Sequence, residues 1–114
     1  MHELSLARAI VAAVRHHLSA EDGPVRGVRV SIGSARGIVP ESLTLAFEAC
    51  VVGTPLAGAL LIIEQVPSRA RCGGCGTPFE FDGMIGKCPA CGHVGGELIA
   101  GDGLELRAIE MADV

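Results

Sequence analysis

Cys72-Gly73-Gly74-Cys75 and Cys88-Pro89-Ala90-Cys91 decide how this chain is built. Each is a C-x-x-C pair followed by glycine, Gly76 and Gly92, and twelve residues separate the pairs. Two such pairs supply four thiolates to one tetrahedral ion. A C-x-x-C-G turn folds the backbone around the ion with its amide hydrogens toward sulfur, and glycine admits the positive φ the turn needs. The spacer suits two hairpin tips that meet. An all-sulfur site suits zinc, with iron second. Two disulfides, or four unrelated thiols, are the competing explanations of the same residues.

The rest of the chain narrows these choices. Its 114 residues suffice for one small domain with a modest core. No apolar stretch reaches the roughly eighteen residues of a membrane span, and no signal peptide is evident. The expected compartment is the cytoplasm, where thiols stay reduced and paired cysteines favour metal over disulfide. Cys50 stands alone in an apolar helical pattern and reads as a small core residue. The net charge is −4, no basic cluster is present, and Phe47, Phe79 and Phe81 are the only aromatics. A nucleic-acid-binding ribbon needs a basic face and often aromatics for stacking, so that function is disfavoured.

Working outward from the cysteines, Ser68 to about Gly103 reads as a separate metal-held module, too small for a useful core of its own. Upstream, residues 4 to 18 predict an amphipathic helix with Leu4, Ala7, Val11, Val14 and Leu18 on one face. Val28, Val30 and Ile32 alternate with polar residues as a half-buried strand ending at Gly33. Ser34 to Val39 read as a loop. A second helix starts near Pro40, with Glu41 in its first turn and Leu43, Phe47 and Cys50 on its buried face. Gly53 is its expected cap. Residues 59 to 66 predict a strand buried on both faces and central in the sheet. Leu104 to Met111 form a last strand whose alternation slips at Ala108-Ile109.

The fold these elements imply is α+β: a small three-stranded mixed sheet with two helices, carrying an inserted four-cysteine zinc-ribbon module. The first two strands join through a helix in a right-handed crossover, and the last runs antiparallel. The main domain is discontinuous, residues 1–66 plus 104–114, and the zinc-binding domain spans 67–103. Pro67-Ser68-Arg69-Ala70-Arg71 reads as the linker between them.

A second metal site is written at the start of the chain. Met1-His2-Glu3 places an amine, the His2 backbone nitrogen and the His2 imidazole within reach of one ion, and the Glu3 backbone nitrogen completes a plane of four. Deprotonated amides favour square-planar Ni(II) or Cu(II). Equally, these residues read as an exposed terminal histidine followed by a first-turn acid that suits the helix dipole. His16 and His17 are adjacent and diverge, so they form no metal pair, and His93 reads as a solvated residue beside the cysteines. No catalytic constellation is evident, and the chain reads as a non-enzyme.

Taken together, Met1-His2-Glu3-Leu4-Ser5, Pro55-Leu56-Ala57-Gly58-Ala59 after Gly53-Thr54, the two cysteine pairs and the closing Leu104-x-Leu106-x-x-Ile109-Glu110 resemble the HypA/HybF family over essentially the whole chain. These are nickel metallochaperones of [NiFe]-hydrogenase maturation. The resemblance implies that Met1, His2 and the Glu3 backbone bind transferable Ni(II). It implies that Cys72, Cys75, Cys88 and Cys91 hold a structural Zn(II). It also implies a HypB-type GTPase and the hydrogenase large subunit as partners, with urease maturation factors as partners of some relatives, and it is compatible with a homodimer. Some members add an acidic side chain in the loop before the second helix; here Pro40 cannot serve, and Glu41 is left out of the site. A rubredoxin-like iron electron carrier and a zinc-ribbon adaptor are the alternative functions.

Overall fold

The computed structural model describes residues 2–112, with the backbone alone at residue 2. Its elements are α1 (His2–His17), β1 (Val25–Gly33), a 3-10 turn (Ser34–Arg36), α2 (Pro40–Cys50), β2 (Leu60–Val66), β3 (Ser68–Cys72), β4 (Pro78–Phe81), β5 (Gly96–Ala100) and β6 (Leu104–Met111). The chain divides into two units. One gathers Met1–Val30, Ile38–Glu64 and Glu105–Val114; the other gathers Ser31–Gly37 and Gln65–Leu104.

The first unit is built on the helical periodicity of α1. Leu6, Ala7, Ile10, Val11 and Val14 are buried along one stripe, and α2 packs on it through Leu43 and Phe47. Burying a side chain such as Phe47 contributes about 1.5–3 kcal/mol. Helix α2 begins without a side-chain cap, because Val39 has no oxygen to offer; Pro40 at the first helical position presets φ instead. The expected cap at Gly53 falls two residues too late. Val51 ends the helix by donating its amide to the Phe47 carbonyl, and Gly53 follows at φ 75.

The three-stranded mixed sheet is ordered β2-β1-β6. Gly33 donates to Gly103 and Ala112 donates to Pro24, so β6 runs antiparallel to β1. The expected place of residues 60 to 66 is corrected here. Strand β2 lies at the sheet edge, with no fully buried residue, and β1 is central with Val28 and Val30 buried. An unbroken apolar run means burial on two faces only where other layers cover both faces of the sheet, and the residues of β2 at this edge are partly or fully exposed.

The second unit contains an antiparallel sheet ordered β4-β3-β5. Its central strand is the stretch expected to be a linker. Ser68, Ala70 and Cys72 are buried while Arg69 and Arg71 are exposed, a period-two pattern. Ala70 faces Phe79 on one side and Leu98 on the other. Ala70, Cys72, Phe79 and Cys88 form a small core with Phe81 against it, so the module buries more than its composition suggests. Ser68 is tied in by hydrogen bonds. Its hydroxyl lies 2.8 Å from Ser34 Oγ and donates to the Gly83 carbonyl at 2.7 Å, while the Gly83 amide donates to Ser34 Oγ.

Candidate metal centre

Strand β3 delivers Cys72 at its last residue, and the chain then turns through Gly73 and Gly74 to Cys75. Gly76 follows at φ 78 and donates to the Cys72 carbonyl. The second pair repeats this: Gly92 lies at φ 79 and donates to the Cys88 carbonyl. Each turn is also closed from outside, Cys72 donating to the Thr77 carbonyl and Cys88 to the His93 carbonyl. A side chain other than glycine at φ near 80° would be strained, which is why both turns carry glycine there.

These two turns bring all four sulfurs within 4.8 Å of one another. Cys72 Sγ lies 3.5 Å from Cys91 Sγ, and Cys75 Sγ lies 3.7 Å from Cys88 Sγ. Zinc–sulfur bonds of about 2.3 Å put the corners of a tetrahedron about 3.8 Å apart, so the spacing fits one ion such as zinc. It does not fit disulfides, whose sulfurs sit about 2.05 Å apart, and all five cysteines are free. Cys72 and Cys88 are buried and Cys75 and Cys91 exposed, so the site is half-sunk.

The surroundings prepare the sulfurs for a cation. Cys72 Sγ accepts the Cys75 amide at 3.4 Å and the Gly74 amide at 3.2 Å. The Cys75 amide, ahead of the Gly74 amide, lowers the Cys72 thiol below its ordinary value against the opposing effect of burial. Cys75 Sγ lies 3.2 Å from Thr77 Oγ1. The Thr77 hydroxyl, followed by its amide, pulls the Cys75 thiol down to about 6. On Cys91 the His93 amide is the largest influence and lowers the thiol, but the three neighbouring sulfurs and burial together raise it to about 11. Four thiols this close cannot all ionise unless a cation balances them, and a divalent ion does so.

Sequence reasoning missed Thr77, because a threonine after C-x-x-C-G carries no metal signal of its own. His93 is exposed beside the cysteines, as its place in the sequence suggests. Its ring lies over Gly73 and Gly74, where an added Cβ would come within 3.2 Å of His93 Nε2 and Cβ respectively. Cys50 is half-buried rather than in the core, and it lies outside the four-sulfur cluster. Of the expected nickel residues, Met1 and the His2 side chain lie outside the described residues. Glu3 is described. Its carboxyl is held below the ordinary range, first by its own backbone amide and then by that of Val39, against partial desolvation.

A two-helix, three-stranded α+β scaffold carrying a four-thiol module of paired C-x-x-C-G turns defines a small metal-binding protein. Known proteins narrow the class. Residues 1–111 match the family model described as HypA, hydrogenase/urease nickel incorporation, metallochaperone. The hydrogenase maturation factor HypA of Geobacter sulfurreducens is 39% identical over 111 residues, covering 97% of this chain and 99% of that one. That of Trichormus variabilis is 37% identical over 114 residues, covering 100% and 98%. The solution structure of the Ni metallochaperone HypA from Helicobacter pylori superposes with a TM-score of 0.62 at 21% identity, covering 96% of each chain, and shares the fold. The chain belongs to the HypA family. It is a maturation factor of the metallochaperone class and not an enzyme. Among the described residues no helix is long and apolar enough to cross a membrane.

Proposed function

We propose that this chain carries Ni(II) on Met1, His2 and the Glu3 backbone and delivers it for [NiFe]-hydrogenase maturation. A HypB-type GTPase and the hydrogenase large subunit are its partners, urease maturation is a further use, and the cytoplasm is its place. The observation that supports this most is the family match across residues 1–111, which includes the Met1-His2-Glu3 opening. A carrier must hold its cargo and surrender it. Ligands gathered at one end of a chain can leave one after another, whereas a half-buried four-thiol cage at the tips of two turns holds its ion.

On this reading Cys72, Cys75, Cys88 and Cys91 hold zinc, which neutralises their charge and closes the module spanning residues 67–103 around itself. Residues 1–66 plus 104–114 form the nickel-binding domain.

Nickel titration followed by metal analysis tests the assignment. The wild type should take up one nickel per chain, and His2→Ala should lose most of that uptake while its zinc content stays the same. Undiminished nickel binding by His2→Ala refutes the site.

A further inference from the structure

The two cysteine turns are alike in backbone and differ in one side chain. Thr77 and His93 hold the same place, each following the C-x-x-C-G of its turn. The carbonyl of each accepts the amide of its turn's first cysteine, at 2.9 Å from Cys72 to Thr77 and 2.8 Å from Cys88 to His93. The amide of each also bonds the sulfur of the second cysteine, Thr77 to Cys75 and His93 to Cys91. Beyond the backbone the likeness ends. Thr77 Oγ1 lies 3.2 Å from Cys75 Sγ. The His93 ring lies instead over Gly73 and Gly74 of the opposite turn.

Among the described residues the Thr77 hydroxyl has no other hydrogen-bond partner, so nothing competes for it. On a free thiol the proton lies on sulfur and the hydroxyl oxygen accepts it. A sulfur bound to an ion is a thiolate with no proton to give, and the hydroxyl is then the donor of the pair. Such a bond is charge-assisted and stronger than a neutral one. It falls where water has access, since Cys75 and Cys91 are exposed while Cys72 and Cys88 are buried.

We propose that Thr77 is a positioning residue of the metal centre, whose hydroxyl donates to the metal-bound Cys75 sulfur and keeps that exposed ligand on the ion. The hydroxyl fixes the direction of the Cys75 side chain toward the other three sulfurs and takes up part of the thiolate's charge. Partners one shell out from a metal commonly set its affinity in this way. Cys91, equally exposed, has only the backbone half of the arrangement. The role of Thr77 rests on the reading in which the four thiols hold one ion.

Two variants of the full chain test it. Thr77→Val removes the hydroxyl and keeps the branched shape, and Thr77→Ser restores the hydroxyl. In competition with a chelator, Thr77→Val should bind zinc about tenfold more weakly than wild type, and Thr77→Ser close to wild type. A loosened turn also weakens binding, so the second readout is the absorption of the cobalt-loaded proteins. Loss of a hydrogen bond raises the energy of the thiolate lone pairs, and the thiolate-to-cobalt charge-transfer band should move to longer wavelength in Thr77→Val. Thr77→Ser should bring it back. Wild type and both variants should each hold one cobalt per chain. A wild type that binds neither metal overturns the four-thiol reading together with this role. A wild type that binds normally, beside a Thr77→Val with equal zinc affinity or an unmoved band, overturns the role of Thr77 alone, as does a Thr77→Ser that behaves like Thr77→Val.

Discussion

Cys72 Sγ and Cys91 Sγ lie 3.5 Å apart although they are nineteen positions apart in the chain. The contact joins the end of β3 to the far turn of the module, and only two C-x-x-C-G turns meeting tip to tip produce it. Buried Cys88, 1% exposed, completes the cluster from the other side. The account therefore expects one zinc per chain, and very little in Cys88→Ser, whose amide spectrum should lose dispersion across β3, β4 and β5. A structural zinc contributes about 10–16 kcal/mol to the folding of small modules, so partial retention of structure would be surprising. Cys50→Ser should keep its zinc. Full zinc in Cys88→Ser, or its loss from Cys50→Ser, contradicts the assignment.

Gly76 separates backbone strain from crowding. It sits at φ 78, yet an added Cβ there would meet nothing within 4 Å. Gly76→Ala should cost about 1–2 kcal/mol through φ alone. In competition with a chelator this appears as zinc affinity lower by about 5- to 30-fold. Gly103→Ala, which also meets no neighbour and needs no positive φ, is the control and should bind zinc normally. Equal affinities for the two variants would show that the turn does not need its left-handed residue.

Ser68 is fully buried and bonded to both the Ser34 hydroxyl and the Gly83 carbonyl. Ser68→Ala leaves these groups short of a partner, a loss of about 1–3 kcal/mol. Urea denaturation followed on signals of the second unit should show a lower midpoint with an unchanged slope. A midpoint equal to that of the wild type would mean that water replaces the hydroxyl without loss.

The hold on the Glu3 carboxyl, first by its own amide and then by that of Val39, carries a pH dependence of definite sign. Glu3 titrates below its ordinary value, so the stability it adds is fully present above the unfolded carboxyl pKa and is lost as pH falls through the lower folded one. In nickel-free protein the Val39 amide resonance should therefore move in acid, with a midpoint below the ordinary glutamate value. Glu3→Gln should abolish that step. A midpoint at or above the ordinary value argues that the Val39 amide does not bind the carboxylate.

Several of these features could be read from residue order alone. The stripe from Leu4 to Leu18 found α1, although its start at His2 was placed two residues late. Leu104 to Met111 was found with its ends correct. Four cysteines in two pairs were enough to expect a cluster, because the spacing leaves few other solutions. The errors have a common origin, namely neighbours that local pattern does not reveal. The apolar run in β2 looked central, but an edge position is a property of the whole sheet. Ser68 to Arg71 looked like a linker because a proline precedes it and arginines interrupt it, although the alternation of a strand was present. The Glu3–Val39 link joins a helix start to a loop 36 residues later, and no periodicity signals it.

The central claim is that cargo nickel is held at the Met1 end of the chain and not by the cysteines. The most direct measurement is nickel binding by a chain with two residues added before Met1, which keeps every side chain and moves only the amine. The account predicts severe loss of nickel uptake with zinc content unchanged. Normal nickel binding by the extended chain would contradict it.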